Sequence, residues 1–305
     1  MSHTRRDFLR TATAAGALLG LGAQGCAVGG EADPTPAFRI SLAEWSLHRA
    51  LQGGHMTHLE FPMRARADFG IEGVEYVNSF FKDKARDEAY LAQLDLRCRD
   101  AGVTSLLIMC DGEGALGDAD EAARRQAIEN HVQWLEAAAR LGCHSIRVNA
   151  AGGGERDELA RRVADSLVAL AERAAPLGLN VIVENHGGLS SDGAWLAGVM
   201  RLAANPRVGT LPDFGNFRIG DGTEYDRYRG VEELMPFAKA VSAKSHDFDE
   251  AGECVQTDYG RMLRIVHAAG YRGWIGIEYE GGGLDEDTGI LRTKALLERV
   301  RAELS

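Results

Sequence analysis

Residues 181–188 read Val-Ile-Val-Glu-Asn-His-Gly-Gly, and this stretch decides how the rest of the chain is interpreted. Three apolar β-branched residues run directly into Glu184, Asn185 and His186. A continuous apolar run of this kind is typical of a strand that is buried on both faces, as in a parallel sheet. Polar residues at its carboxyl end would lie at the edge of the sheet where α/β enzymes carry their sites.

Three later stretches have the same form. They run from 208 to 216, from 240 to 249 and from 274 to 281. Their polar residues near the carboxyl ends of the strands are Asp213, His246 and Glu278, respectively. Because the carboxyl ends of parallel strands meet at one edge, we expect these side chains to converge with Glu184. Two Glu, one Asp and one His form a ligand set for a hard divalent cation. A cation would also offset the cost of burying the charges. The sequence therefore predicts a metal site.

The chain alternates strands and helices over residues 37–305. Predicted strands lie at 38–44, 73–77, 103–109, 143–149, 181–184, 208–213, 240–246 and 274–278. Predicted helices lie at 59–69, 84–101, 119–141, 155–177, 191–204, 256–269 and 290–303, and a long loop is expected at 214–231. No Gly-x-Gly-x-x-Gly follows the first strand, so a dinucleotide-binding sheet is disfavoured. Eight strand units in this length predict a single α/β domain, a closed (β/α)8 TIM barrel.

Further side chains at the same rim are candidates for binding a substrate: Trp45, Glu75, Asn149, His186, Asn216 and Lys244. The two Asn side chains suit hydroxyl groups. Trp45 could form the floor of a sugar pocket or belong to the core. His186 could orient a substrate or be structural. Lys244 lies two residues before His246 and shares its face, so it could bind a substrate oxygen or pair with Glu278.

Composition excludes some classes of partner. The 305 residues carry a formal net charge of −11; the first 26 contribute +2, which leaves −13 for the remainder. An acidic domain repels phosphate backbones, so no nucleic acid partner is expected. The five Cys show no ligand or disulfide spacing, and those at 98, 110, 143 and 254 are predicted to be buried free thiols.

The amino terminus has the form of a targeting segment. Residues 4–10, Thr-Arg-Arg-Asp-Phe-Leu-Arg, resemble the twin-arginine export signal, and a short apolar stretch follows at 11–23. We expect residues 1–26 to be the signal, 27–36 a linker, and the protein to be periplasmic or exported. Cys26 ends a weak lipoprotein-like box, so membrane attachment is expected only if this residue is lipidated; simple cleavage nearby is the alternative.

The strand ends resemble the xylose-isomerase-like TIM barrel superfamily of sugar (phosphate) isomerases and epimerases over roughly 38–303. The specific pieces are Val-Ile-Val-Glu184-Asn-His, Pro-Asp213-Phe-Gly-Asn216, Ala-Lys-Ser-His246 and Trp-Ile-Gly-Ile-Glu278-Tyr. The resemblance implies that Glu184, Asp213, His246 and Glu278 hold one divalent metal, Mn2+, Mg2+, Co2+ or Zn2+. It also implies that Glu184 and Glu278 move protons in catalysis.

Two departures from the keto-sugar epimerases are visible. Those enzymes have a His three residues after the Asp ligand, where this chain has Asn216, and an Arg shortly after the His ligand, where residues 247–253 have none. The predicted activity is a metal-dependent sugar isomerase or epimerase that works through an enediolate. The alternative is a lyase that dehydrates a keto-sugar or an inosose-like substrate through the same enolate.

Two other classes are compatible with the scaffold. An apurinic endonuclease of the same superfamily would need further metal ligands and a basic groove, which the charge opposes. A non-catalytic sugar-binding protein would keep Trp45 and the Asn residues without needing all four ligands. The expected partner is a small sugar, and assembly into a homo-oligomer is left open.

Overall fold

A computed structural model describes residues 36–220 and 222–304. The predicted export signal, Cys26 and the linker up to residue 35 lie outside the described residues. Within the described part of the chain, none of the helices combines the length and apolar character that a membrane crossing requires.

Ten strands are present in the described chain. They are β1 (Arg39–Ala43), β2 (Gly73–Val77), β3 (Thr104–Met109), β4 (Ser145–Val148), β5 (Asn180–Glu184), β6 (Val208–Leu211), β7 (Arg218–Gly220), β8 (Thr223–Glu224), β9 (Val241–Ser245) and β10 (Trp274–Tyr279). Eight of them form one parallel sheet in the order β6-β5-β4-β3-β2-β1-β10-β9. These eight lie within two residues of the predicted bounds.

The sheet closes on itself between β6 and β9. Ser242 donates its backbone N–H to the Pro212 carbonyl at 2.9 Å, and Phe214 donates to the Ser242 carbonyl at 3.1 Å. Parallel bridges pair Thr210 with Ala238 and Asp213 with Ser242. The predicted (β/α)8 TIM barrel is therefore confirmed, and its closure lies next to two of the predicted site strands.

The strand residues alternate between two apolar layers. A large cluster fills the space between sheet and helices, with members such as Val181, Val183 and Trp134. A smaller cluster includes Ile182 and Leu211. Because residues two apart share a face of a strand, Ile182 and Glu184 both point into the barrel. The barrel interior is thus lined by apolar residues in the middle of the strands and by charged residues at the carboxyl ends of the strands.

Nine α-helices flank the strands in the described chain. They are α1 (His48–Gln52), α2 (Phe61–Ala67), α3 (Glu88–Ala101), α4 (Glu121–Arg140), α5 (Arg156–Ala174), α6 (Gly193–Ala203), α7 (Arg227–Leu234), α8 (Tyr259–Ala268) and α9 (Glu286–Leu304). Side-chain caps start several of them; Asp192, for example, accepts from the Trp195 N–H at the start of α6. Gly102 ends α3 in the left-handed conformation, at a φ of 67°. The four predicted buried thiols are free and buried.

The prediction of a loop over 214–231 is wrong in part. The segment contains the hairpin β7–β8 and the start of α7. Asp226 accepts hydrogen bonds from the backbone of Tyr228 and Arg229 and so caps the helix. Val231 and Leu234 are fully buried, and packing of this short face stabilises a helix whose sequence is mostly polar.

Candidate active site

Three of the four predicted metal ligands meet in the barrel. Glu184 at the end of β5, Asp213 after β6 and Glu278 near the end of β10 each place a carboxylate oxygen within 4.8 Å of the other two. All three side chains are buried. We call these three residues the carboxylate cluster. By its ligand atoms it could hold a metal ion.

Predicted ligand His246 is not part of the carboxylate cluster. The strand β9 ends at Ser245, so His246 follows it and lies half-buried on the wall of a cavity. Ser242 and Lys244 are the residues of β9 that share the inward face, because they are two apart within the strand. Of the two residues that were predicted on this face, Lys244 is the one beside the carboxylate cluster.

Lys244 is the cation beside the carboxylate cluster. Its Nζ lies 3.3 Å from Glu278 Oε1, 3.4 Å from Glu280 Oε1 and 4.0 Å from Asp213 Oδ2. Only 2% of its side chain is exposed. These carboxylates together hold the pKa of Lys244 well above its usual value, more than offsetting burial, which lowers it. Of the two roles considered for Lys244, the structure shows the pairing with Glu278.

A second cation, Arg147, was not among the predicted site residues. It lies on β4, is 3% exposed, and places its Nε 2.9 Å from Glu184 Oε2. Its Nη1 donates to Asp111 Oδ1 at 2.7 Å, and Asn149 donates to the same oxygen at 2.7 Å. The sequence did contain a signal for Arg147, because it is a charged residue inside a four-residue strand and lies two positions before the predicted site residue Asn149. Asn149 thus lies at the rim as expected, where it supports the arginine and its partner.

Neutral donors complete the carboxylate cluster. Asn216 donates through Nδ2 to Glu184 Oε1 at 3.0 Å, and the backbone N–H groups of Gly215 and Asn216 donate to Asp213 Oδ1 at 2.8 and 2.7 Å. The Ser242 hydroxyl lies 2.7 Å from Asp213 Oδ2 and 2.8 Å from Glu278 Oε2. Since a hydroxyl has one hydrogen, Ser242 shares that hydrogen between the two carboxylates.

The surroundings of the three carboxyl groups shift the pKa of Glu278 in the opposite direction from the pKa values of Glu184 and Asp213. Burial raises the pKa of Glu184 to about 7, against the opposing effect of Arg147, and burial raises the pKa of Asp213 to about 7, against that of Lys244. Burial also acts on Glu278, but the Lys244 ammonium and the Ser242 hydrogen bond outweigh it, so the pKa of this group is lowered. Carboxyl groups with separated pKa values are suited to different acid and base roles.

A cavity of about 360 Å³ opens above the carboxylate cluster. Predicted residues His186, Asn216, Lys244 and His246 line it, together with Glu280. Glu184, Asp213 and Glu278 are not among the lining residues that the structure describes. Lys244 and Asn216 contact the carboxylates and also face the cavity, so they connect the cluster with the cavity.

The structure keeps Trp45 and Glu75 apart from this cavity. Trp45 stacks on His48, with ring centroids 4.9 Å apart, and it is not among the described lining residues. Glu75 is 1% exposed inside the barrel, where Ser41 donates to its Oε1 at 2.6 Å. Burial raises the pKa of Glu75 to about 8. The geometry thus gives Glu75 a place in the interior rather than in the cavity wall.

The fold and this site define a TIM barrel whose buried carboxylates and cations meet at the carboxyl ends of its strands. The sequence signature of the family described as "Xylose isomerase-like TIM barrel" matches residues 63–300. The chain therefore belongs to that family.

Similar proteins include isomerases and epimerases of sugars and sugar derivatives. A 2-oxo-tetronate isomerase of Pectobacterium atrosepticum is 26% identical over 242 residues, which are 73% of this chain and 87% of that protein. The structure of 3-keto-D-glucoside 4-epimerase from E. coli matches with a TM-score of 0.64 at 18% identity, over 79% of this chain and 94% of that one. The IOLI protein, described with a bound zinc atom, matches with a TM-score of 0.67 at 13% identity, over 88% of this chain and 99% of that one. At these identities the two structures show a shared fold.

Proposed function

We propose that this protein is an isomerase or epimerase of a sugar or sugar derivative, and that it moves a proton on the carbon next to a carbonyl group. The observation that carries the proposal is the carboxylate cluster, whose members have separated pKa values and lie beside two buried cations at the base of a polar cavity. The named relatives support the same class of reaction.

The proposed chemistry needs a base that removes a proton from the substrate and a cation that stabilises the negative charge on the substrate's carbonyl oxygen. A carboxylate removes the proton next to the carbonyl, the electron pair forms a carbon–carbon double bond, and the carbonyl oxygen takes up negative charge. Isomerisation returns the proton to the former carbonyl carbon, while the neighbouring hydroxyl loses its proton to become the new carbonyl and the former carbonyl oxygen gains one. Epimerisation returns the proton to the opposite face of the original carbon, and the carbonyl forms again. We assign the proton transfers to Glu184 and Glu278, with Glu280 as a third carboxylate that faces the cavity.

The sequence analysis assigned the cationic role to one divalent metal. The zinc described for the IOLI protein and the three converging carboxylates support that assignment. The contacts of Lys244 oppose it, because its ammonium already lies against Glu278.

A sugar acid is the first substrate class to test. Arg218, Arg227 and Lys244 line the cavity with Glu224 and Glu280, so cations outnumber carboxylates on its wall although the whole chain is acidic. Arg227 donates to Thr257 Oγ1 at 2.7 Å and is held in place by it. A fixed guanidinium suits a substrate carboxylate. The substrate named for the similar isomerase is itself a carboxylate.

The experiment is NMR in deuterated water with 2-oxo-tetronate, D-fructose and L-ribulose as probes. The proposal expects an isomeric or epimeric product that carries deuterium at the reacting carbon. A product that has lost water would instead support the lyase, which shares the enolate and could use His186 or His246 on the cavity wall to protonate the departing hydroxyl. Binding of a probe without any exchange or product would contradict both enzymes and favour a binding protein.

We also propose that the protein is exported through the twin-arginine pathway. The support is the motif Thr4-Arg5-Arg6-Asp7-Phe8-Leu9-Arg10 in the sequence. Changing both Arg5 and Arg6 to Lys is expected to retain the protein in the cytoplasm, as fractionation and immunoblotting would measure. Export of that variant at the normal level would contradict the proposal.

A further inference from the structure

The carboxylate cluster, with the contacts that it makes to other protein side chains, is not arranged to bind a divalent metal. Such an ion needs free oxygen or nitrogen ligands at about 2.0–2.6 Å. The Lys244 Nζ is 3.3 Å from Glu278 Oε1 and 4.0 Å from Asp213 Oδ2, so the ammonium already lies against two of the three carboxylates. A metal bound to the same pair would be next to a like charge in a buried site, where repulsion is strong.

Five of the six oxygens of the carboxylate cluster have a hydrogen-bond or ion-pair partner in the protein, and the sixth, Glu184 Oε2, lies 2.9 Å from Arg147 Nε without a hydrogen bond between the two atoms. Glu184 contacts Asn216 through Oε1 and Arg147 through Oε2. Asp213 accepts two backbone N–H groups at Oδ1 and contacts the Ser242 hydroxyl at Oδ2. The partners of Glu278 are Lys244 at Oε1 and Ser242 at Oε2. A metal would have to displace several of these contacts.

The two buried cations also supply the charge that a metal would bring. Lys244 and Arg147 are each about 3% exposed, and they contact Glu278 and Glu184 respectively. Buried carboxylates need such partners, because an unpaired charge in the interior is costly. The two cations offset part of the negative charge of the three carboxylates and so weaken the electrostatic reason for a divalent ion.

We propose that the Lys244 ammonium, in place of a divalent metal, is the cation of this site, and that it binds the carbonyl oxygen of the substrate. Lys244 faces the cavity as well as the carboxylate cluster, so a bound oxygen can reach it. During proton abstraction its N–H groups would stabilise the charge that passes from the broken C–H bond to that oxygen. The catalytic part of this proposal rests on the proposed function, whereas the metal part rests on the contacts of Lys244 alone.

The metal part is tested with Mn2+ alone and requires no substrate. Chelator-treated wild-type protein, K244H, K244M and the surface control K294M are titrated with Mn2+ by calorimetry. We expect no stoichiometric binding to wild type or K294M, and at least about 10-fold tighter binding to K244H, which replaces a buried cation by a neutral ligand. Tight binding of one Mn2+ per wild-type chain would overturn the proposal. So would K244H binding that is no stronger than wild type in a variant shown to be folded by circular dichroism.

The catalytic part is tested by deuterium exchange into 2-oxo-tetronate and D-fructose. Chelator-treated wild type is expected to exchange at the untreated rate, K244M to lose about 10²-fold or more, and K244R to keep more activity than K244M. Exchange that vanishes with chelator and returns with Mn2+ would overturn the role of Lys244. If neither probe exchanges in any metal state, the proposed function fails for these probes, while the Mn2+ titration still decides whether Lys244 is the resident cation.

Discussion

At the scale of single residues, the site depends on charges that no single stretch of sequence reveals. Glu184, Asp213 and Glu278 could be predicted because each follows an apolar strand. Lys244 was also singled out, with pairing to Glu278 as one of its two roles, whereas Arg147 was missed because its contact with Glu184 joins two different strands. His246 is the predicted ligand that lies on the cavity wall rather than in the carboxylate cluster.

Removing Arg147 should cost more stability than removing an exposed arginine. The change R147M would leave Glu184 and Asp111 without their cation, and loss of one partner of a buried pair costs about 3–5 kcal/mol. The matched control is R173M, whose partner Glu129 is also exposed and whose expected cost is below about 1 kcal/mol. Urea unfolding measures both. Equal losses in the two variants would show that Arg147 is not a structural counter-ion.

Glu75 should make the protein less stable as the pH rises. Burial raises its pKa in the folded state from 4.5 to about 8, so between these values the folded chain keeps a proton that the unfolded chain has released. The penalty therefore grows from about pH 4.5 to about pH 8, to the order of 1–4 kcal/mol. E75Q should remove it, so the stability difference from wild type should increase over this range. A difference that is the same at pH 5 and pH 8 would contradict the raised pKa.

At the scale of elements, strands were more predictable than the connections between them. Continuous apolar runs marked the eight barrel strands, because burial on both faces leaves that pattern. The helix α7, with the sequence Arg-Tyr-Arg-Gly-Val-Glu-Glu-Leu, has little apolar periodicity. It forms because Asp226 caps it and because Gly230 packs against Phe217, contacts that the sequence pattern does not show.

This packing predicts opposite effects for two helical glycines. A Cβ on Gly230 would lie 2.1 Å from the Phe217 ring, so G230A should destabilise the fold by about 1–3 kcal/mol and disturb the cavity wall that Arg227 helps to form. A Cβ on Gly198 in α6 meets no atom within 4 Å, so G198A should stabilise by about 0.5–1 kcal/mol. Thermal unfolding of both variants is the measurement. A stable G230A would show that α7 can move away from Phe217.

At the scale of the whole molecule, the barrel explains why residues distant in sequence form one site. Glu184, Asp213 and Glu278 lie near the carboxyl ends of parallel strands, and closure between β6 and β9 brings Asp213 next to Ser242. The sequence predicted this architecture from its eight strand units. It also predicted His186, Asn216 and Lys244 as binding residues, and these line the cavity, but it did not predict that the three carboxylates lie behind that wall.

The most direct test of the proposed proton transfer is the rate at which solvent deuterium enters 2-oxo-tetronate next to its carbonyl group. The wild-type protein and the surface control E298Q should incorporate deuterium at equal rates. At least one of E184Q, E278Q and E280Q, folded as judged by circular dichroism, should be slower by about 10²–10⁴-fold, because Gln keeps the shape but is not a base. Incorporation at the wild-type rate in all three variants would contradict proton transfer by these carboxylates.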